Sequence, residues 1–397
     1  MIADTSTARI GYAERTDVLG FVRRLDWLLL AAVGALVVYG IWAIAGITRF
    51  DVTGDEGYYV VRQGIAAGLG VAGLVVLLTI DPDVYRRAWK PIYVGTVSLM
   101  VLVFALAEAN RGSKRWIEIG PFQFQPSEFG KLLFVLALAG FLAERARRIG
   151  ELRTVLACVG LGLVPMLLVF KQPDIGTSLV YAAALAAVLF LAGARWTHMA
   201  ALAAVGLTVI VSVLWLLPAA GVDVLEPYQK ARLTGFTNPD EDPAGLTYNV
   251  TQSITAVGSG GFDGRGVTDA TQTRLDYLPE HATDFVFASF AEQRGFVGAA
   301  ILLLLYLLVV WRGLRVVTVA RDLYSATVAG GIVVAFLFQV FVNVGMTMGI
   351  APVTGIPLPF VTVGGSSMVA NLLAVGVLQA IHARGSTGFG PPQRPRR

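Results

Sequence analysis

The sequence predicts an all-α polytopic membrane protein of ten transmembrane helices, and three observations carry that prediction. Of 397 residues, 55% are hydrophobic and only 15% are charged, against about 25% charged in an ordinary soluble domain. Mean hydropathy is +0.68, more apolar surface than a soluble core of this length could cover. The apolar residues also fall in blocks of the length a bilayer requires, about 17–25 residues per helix.

Charge and helix breakers bound each block. Residues 27–48, 63–80, 91–107, 154–170, 175–194 and 196–222 contain no Asp, Glu, Lys or Arg. Residues 295–311 form another span, whose apolar pattern runs back through 285–290 across Glu292 and Arg294. Residues 323–383 also lack charge and are too long for one helix; Pro352, Gly355, Pro357 and Pro359 must divide them into two. The shortest candidate, 131–143, needs residues from about Ser127 onward to cross. Residues 1–26 carry both signs of charge and lead into a long apolar run without a cleavage pattern, so they predict a tail followed by an anchor. The expected domains are a cytoplasmic tail at 1–26, a membrane domain at 27–383 and a disordered cytoplasmic tail at 384–397, whose Gly, Pro and Arg suit anionic membrane lipids. There is no convincing internal repeat.

Ten spans put both termini on one side, and the positive-inside rule predicts which. The tails and even-numbered connections hold 19 basic and 9 acidic residues, net +10, whereas the other face holds 12 basic and 18 acidic, net −6. Both termini are therefore expected in the cytoplasm, and the modest overall +4 conceals two faces of opposite sign. One cysteine, Cys158, excludes an intrachain disulfide and a Cys-based metal site, and three scattered histidines argue against a His-rich one. No basic–aromatic stripe suits nucleic acid. The sequence implies no organic cofactor and leaves a divalent cation open.

Polar residues break the membrane pattern in three outer regions. The first, 110–131, places Arg111, Lys114, Arg115 and Lys131 against the charge trend. Pro126, Ser127 and Glu128 form a helix start, with Glu128 and Lys131 on one face at i,i+3. The plain reading is a local ion pair with interfacial snorkelling; the sharper one is an electropositive pocket for an anionic headgroup such as a diphosphate. The second region is the long loop from about 219 to 284 between helices 7 and 8, containing Arg232, Gln252, Ser253 and the glycine run 258–266. That run lacks a P-loop ending, and a flexible loop approaching a substrate is the better reading. The third is 278–285, where Glu280 and Asp284 would share one cavity if the segment were helical. It is either a solvated acidic helix start or a pair of acids beside Tyr277, Leu278, Phe285 and Phe287, where desolvation favours a general base. Trp27, Trp42, Trp89, Trp116, Trp196 and Trp311 sit near span ends as interfacial anchors, and Gly364-Gly-Ser-Ser367 suits close helix packing or a re-entrant turn.

These stretches carry a resemblance. Lys114-Arg-Trp-Ile-Glu-Ile-Gly120, Phe124-Gln-Pro-Ser-Glu-Phe-Gly-Lys131, Gln172-Pro-Asp-Ile-Gly-Thr177, Ala256-Val-Gly-Ser-Gly-Gly261 with Gln252 and Ser253, 278–285, Asn343-Val-Gly-Met346, 352–360 and 364–367 run in order along the chain. Together they resemble the SEDS family of RodA and FtsW. Leu275-Asp-Tyr-Leu-Pro-Glu280 and Val344-Gly-Met-Thr-Met348 lean toward the RodA branch, which serves cell elongation and shape. The resemblance implies a peptidoglycan glycosyltransferase that polymerises lipid II at the outer face of the plasma membrane, beside a class B penicillin-binding protein acting as transpeptidase. It puts the family's essential aspartate on Asp284, its glutamate–lysine pair on Glu128 and Lys131, and an arginine on Arg115. Two departures stand out. Ala282 occupies the place where the family often has His, with His281 one residue earlier, and Gln123 replaces a frequent arginine. The first puts a supporting role for His281 in doubt.

The chemistry asked of these residues is displacement of undecaprenyl diphosphate from C1 of a MurNAc by the 4-hydroxyl of a GlcNAc. Asp284 is expected as general base, Lys131 and Arg115 near the diphosphate, and Glu128 orienting Lys131. Lys114, Arg111, Arg232, Gln252, Ser253, Glu280 and Thr283 complete the expected substrate-binding set. The rivals are a lipid II flippase or other transporter, whose ionisable groups and broken helices would lie near the bilayer midplane, and a non-catalytic scaffold of the cell-wall synthesis complex.

Overall fold

The computed structural model describes residues 18–106, 115–119, 122–222 and 246–385. Among the described residues, ten helices are long and apolar enough to cross a membrane: α1 Trp27–Ile47, α2 Tyr58–Thr79, α3 Trp89–Leu106, α4 Pro126–Ala143, α5 Leu152–Lys171, α6 Ile175–Ala192, α7 Trp196–Ala219, α8 Val286–Val319, α9 Leu323–Thr347 and α10 Gly365–Gly385. Their starts follow local chemistry. Asp26, Asp174 and Asp322 accept from the backbone N–H of Leu29, Thr177 and Ser325 at 3.0, 3.0 and 2.8 Å, each satisfying an orphan donor of a first turn. Pro126 opens α4 with Glu128 in its first turn. Gly193, at φ 95°, ends α6 in the left-handed region that favours glycine.

Burial accounts for the short charge-free block of α4. It is 78% buried, as is α10, while α7 is 0% buried. A central helix faces protein on most sides and can carry polar residues with partners there; α7 faces outward along its length, with a π-helical turn at Ser212–Leu216. The helix ends also differ from expectation. A short helix, Val18–Arg23, precedes α1, and α10 continues to Gly385 because Arg384 donates to the carbonyls of Leu78 and Thr79.

The start of α1 and the last turns of α10 meet at one face. The Asp26 backbone N–H donates to Gln379 Oε1 and the Gln379 amide donates to the Asp26 carbonyl, each at 2.9 Å. Arg312 holds both oxygens of the Asp26 carboxylate at 2.7–3.1 Å. This tail face ties α1, α8 and α10 together.

The opposite, loop face carries features that a search for spans could not give. A hairpin pairs Ile117–Ile119 with Phe122–Phe124 antiparallel. The long connection before α8 contains a helix, Leu246–Ser259, so it is not irregular throughout. That helix closes a small second core of Ala256, Leu278, Phe285, Ala288, Met346 and Val353. Within α8, Gly295 is non-helical (φ 64°, ψ −165°) and breaks the helix. The break is capped by the glycine run: Phe296 and Val297 N–H donate to the carbonyls of Gly261 and Phe262, and Arg265 N–H donates to that of Glu292. A Cβ on Gly260 would strike the Ala291 carbonyl, and one on Gly264 the backbone of Gln293 and Arg294. Gly260 and Gly264 therefore serve close packing on α8.

Candidate active site

The site is built on the turn preceding α8. Leu278 and Phe285 are 0% and 1% exposed and pin its two ends into the small core. Between them the chain is a succession of turns: α8 begins at Val286, Glu280 has φ 56°, and the Glu280 carbonyl accepts from the N–H of both Thr283 and Phe285. Glu280 and Asp284 are thus not on one helical face, which corrects the helical expectation. Glu280 is exposed and its carboxylate accepts from Thr283 Oγ at 2.8 Å. Tyr277 is 49% exposed, unlike the buried Leu278 and Phe285.

Asp284 is half-buried, and its backbone is fixed on every side. Three successive carbonyls each accept a hydrogen bond from outside the turn. Ala282 O takes the N–H of Val363 at 3.1 Å, Thr283 O takes Thr362 Oγ at 3.2 Å, and Asp284 O takes Asn343 Nδ2 at 3.1 Å. The donors come from α9 and from the irregular stretch 350–364. Side chains satisfy that stretch in turn: Asn343 Nδ2 also donates to Ile356 O, Tyr306 to Pro359 O, and buried Gln63 pairs with Thr362 O and Gly364 N–H. Non-helical backbone at this depth is tolerated because protein groups hold it.

Glu128 and Lys131 lie deeper, at the start of α4. Lys131 Nζ sits 2.8 and 2.9 Å from the two Glu128 oxygens and 2.7 Å from Gln339 Oε1. An ammonium has three N–H groups, and all three have acceptors here. The lysine charge is compensated in place, and Glu128 and Lys131 form a buried, hydrogen-bonded ion pair. The pair lines a groove between α4, α8, α9 and α10, whose remaining walls are largely apolar, Val309, Phe336 and Leu378 among them. Helix α9 connects the two centres. Gln339 meets the ion pair, and Asn343, one turn or about 6 Å along the axis, meets the Asp284 backbone.

The other expected residues divide. Arg115 donates through Nε to Gln172 O at 3.0 Å and through Nη2 to Pro173 O, which anchors it to the α5–α6 connection on the loop face. Ser253 is fully buried and donates to Thr347 O at 2.8 Å, so its hydroxyl fastens the loop helix to α9. Gln252 beside it is partly exposed. Arg111, Lys114 and Arg232 lie outside the described residues. Ser366 joins Gly364–Ser367 to the hairpin, accepting from Gln125 N–H and donating to Gln123 O. Among the described residues, no three His, Cys, Asp or Glu side chains group as metal ligands.

A family model of cell-cycle proteins, FtsW/RodA/SpoVE, matches residues 23–387. The chain belongs to the FtsW/RodA/SpoVE family. Among relatives in that family, stage V sporulation protein E of Bacillus subtilis is 38% identical over 88% of this chain and 93% of its own. The peptidoglycan glycosyltransferase MrdB of Escherichia coli is 37% identical over 90% and 93%. Solved FtsW/RodA/SpoVE-like structures agree in fold. One, described as coordinating polymerization and crosslinking in a peptidoglycan synthase complex, superposes with TM-score 0.76 at 29% identity over 91% of this chain and 98% of the other. The rod shape determining protein RodA of Thermus thermophilus gives 0.66 at 27% identity over 90% and 96%.

Gln63, Gln339 and Glu292 escaped the sequence reading. Glu292, fully buried, accepts from the N–H groups of Gln272 and Thr273 and from Thr273 Oγ at 2.7–3.0 Å. A signal existed for the amides: Gln339 and Asn343 are polar, four residues apart, in an otherwise apolar helix.

Proposed function

We infer that the chain is a peptidoglycan glycosyltransferase of the RodA branch that polymerises lipid II, with Asp284 as general base. Relatives bearing that activity in their names, at 36–37% identity over 90% of this chain, support the reaction class. The observation that carries the site is the fixing of Asp284: three consecutive carbonyls are tied to α9 and the 350–364 stretch while its side chain stays half-buried at the loop face. A base within reach of an acceptor hydroxyl must not drift, because misplacement near 1 Å costs about 10²-fold.

The hydroxyl of the acceptor sugar loses its proton to Asp284 as it bonds to C1 of the donor, and the bond from C1 to the lipid diphosphate breaks with inversion. General-base assistance contributes about 10²–10⁴-fold. Arg115, anchored by two carbonyls, retains N–H groups for the departing diphosphate, with Arg111 and Lys114 adjoining it in sequence. The Glu128–Lys131–Gln339 cluster holds α4 and α9 in register below the reacting groups. The loop face is extracytoplasmic in a multi-pass plasma-membrane protein, as the excess of basic residues on the tail face supports. A class B penicillin-binding protein is the partner, in line with the synthase complex that the fold resembles.

The break in α8 argues against a transporter. From Phe296 to Val319 about 24 residues remain, about 36 Å at 1.5 Å per residue, enough to cross the hydrocarbon. Gly295 therefore sits at its edge, away from the midplane site a transporter would use.

The test is incubation of purified protein, with and without its transpeptidase, on fluorescent lipid II with a moenomycin control. Wild type should form moenomycin-resistant glycan, and Asp284→Asn should bind lipid II without polymerising it. Polymer from Asp284→Asn would remove the base assignment, and transbilayer lipid movement without polymer would favour the flippase.

A further inference from the structure

The imidazole of His281 lies three residues before Asp284, and both of its nitrogens face acceptors. Nε2 is 3.1 and 3.2 Å from the carboxylate oxygens of Asp51, in the connection between α1 and α2. Nδ1 is 3.2 Å from Leu278 O and 3.5 Å from Asp276 Oδ1. A neutral imidazole carries one N–H and one lone pair, so it would turn a lone pair toward an oxygen at one end. Only the imidazolium, donating from both nitrogens, satisfies this arrangement. The side chains of His281 and Asp51 are 13% and 20% exposed, so the contact is substantially shielded.

The backbone here is under tension. Asp276 and Glu280 hold φ of 55° and 56°, a region that L-residues rarely adopt and that persists only when surrounding contacts over-determine it. His281 supplies two of them, one back to Leu278 and one across to Asp51. We propose that His281, as an imidazolium bridging Asp51 and the Leu278 carbonyl, is a positioning residue for Asp284, and that its deprotonation loosens the catalytic turn and sets an alkaline limit on polymerisation. This rests on Asp284 being the base. It also gives His281 a supporting role from a register that its displacement from the family place had put in doubt.

The charged groups around the ring favour its cation. Asp51 approaches from the α1–α2 connection, and Asp276 and Glu280 lie on the same turn. Tyr59 and Arg62 of α2 stand within electrostatic reach of one another, and Tyr59 within reach of Asp51 and Glu280; Asp284 follows. Burial by itself would lower the histidine pKa, but the hydrogen bond and charge of Asp51, then Asp276 and the Leu278 carbonyl, raise it above its ordinary value. Because the folded value is raised, the clamp is complete below the unfolded pKa, about 6.5, and is lost as pH rises through the folded one.

The experiment measures kcat and KM for fluorescent lipid II from pH 6 to 9 in wild type, His281→Gln, Asp51→Asn and the double variant. Wild type should lose kcat on the alkaline side. Each single variant should lower kcat about tenfold, with KM within about twofold, and abolish the alkaline limb; the double should be no worse than either single. An alkaline limb surviving in both variants, or losses that add in the double, would overturn the proposal. Should His281→Gln fail to fold, ¹⁵N-histidine NMR of wild type and Asp51→Asn reads the ring directly among only three histidines. Protonation of both His281 nitrogens persisting above pH 6.5 in wild type and not in Asp51→Asn supports the proposal, and a neutral ring below that pH refutes it. Activity in Asp284→Asn would instead strike the base assignment while leaving the NMR result standing.

Discussion

Cutting one half of the Glu128–Lys131 pair tests whether that cluster supports structure, chemistry or both. In Lys131→Met, the Glu128 carboxylate, 1% exposed, loses its counter-charge and two donated bonds, and Gln339 Oε1 loses its donor. In Glu128→Gln, an ammonium only 10% exposed keeps two neutral acceptors but no anion. Breaking a buried pair from one side costs about 3–5 kcal/mol, whereas removing both charges is often close to neutral. At about 2–4 °C per kcal/mol for a large domain, each single variant should melt about 6–20 °C below wild type. The double variant buries no charge and leaves the new carboxamide facing that of Gln339, so it should recover most of the loss.

Thermal unfolding in detergent, followed by tryptophan fluorescence and by monodisperse recovery after heating, measures this cycle. Single-variant losses that simply add in the double would refute the reasoning, because the cost would then come from each side chain separately and not from an orphaned charge. Polymerisation by the double variant separates the two roles. Recovered stability with recovered turnover makes the pair a structural brace; recovered stability without turnover gives it a part in the reaction.

Two further substitutions probe how the turn is held. Asn343→Ala removes donors to Asp284 O and Ile356 O, and should lower kcat about tenfold or more with KM for lipid II nearly unchanged; a raised KM at constant kcat would show that Asn343 serves binding. Glu292→Gln replaces charge-assisted acceptance from Gln272 and Thr273 and should cost about 1.5–3 kcal/mol, read as faster amide hydrogen exchange across 266–275 with α4 unaffected.

The ten spans were legible because hydrocarbon leaves few options: an apolar block of bilayer length is a helix, since only a helix satisfies its own backbone within one segment. Asp284, Glu128 and Lys131 were legible for the same reason inverted, as ionisable groups where the pattern excludes them. Residues that join those centres were hidden by the same criterion. Reading spans between charges passes over uncharged amides, so Gln63, Gln339 and Gln379 vanished into apolar blocks, although each is buried and bonds a distant segment. At 278–285 the i,i+4 acids and the apolar continuation suit a helix start, and the sequence leaves that helix conditional. What decides against it is tertiary: Asn343, Thr362 and Val363 capture three carbonyls that a continuing helix would have used itself.

Burial alone does not distinguish the Glu128–Lys131 pair from the Asp26–Arg312 pair. Asp26–Arg312 at the tail face is as deeply buried as Glu128–Lys131, with side chains 1% and 10% exposed in both pairs. The Asp26 carboxylate also caps α1, and its backbone is clamped by Gln379, so every polar group around it serves to join helices. Glu128 and Lys131 line a groove, and their third partner, Gln339, lies one turn from the residue that fixes Asp284. A change in the Glu128–Lys131 pair can therefore reach the Asp284 backbone through a single helix face, whereas a change at Asp26 must cross the thickness of the bundle. Proximity to the groove and to the turn that carries Asp284 is what sets the Glu128–Lys131 pair apart.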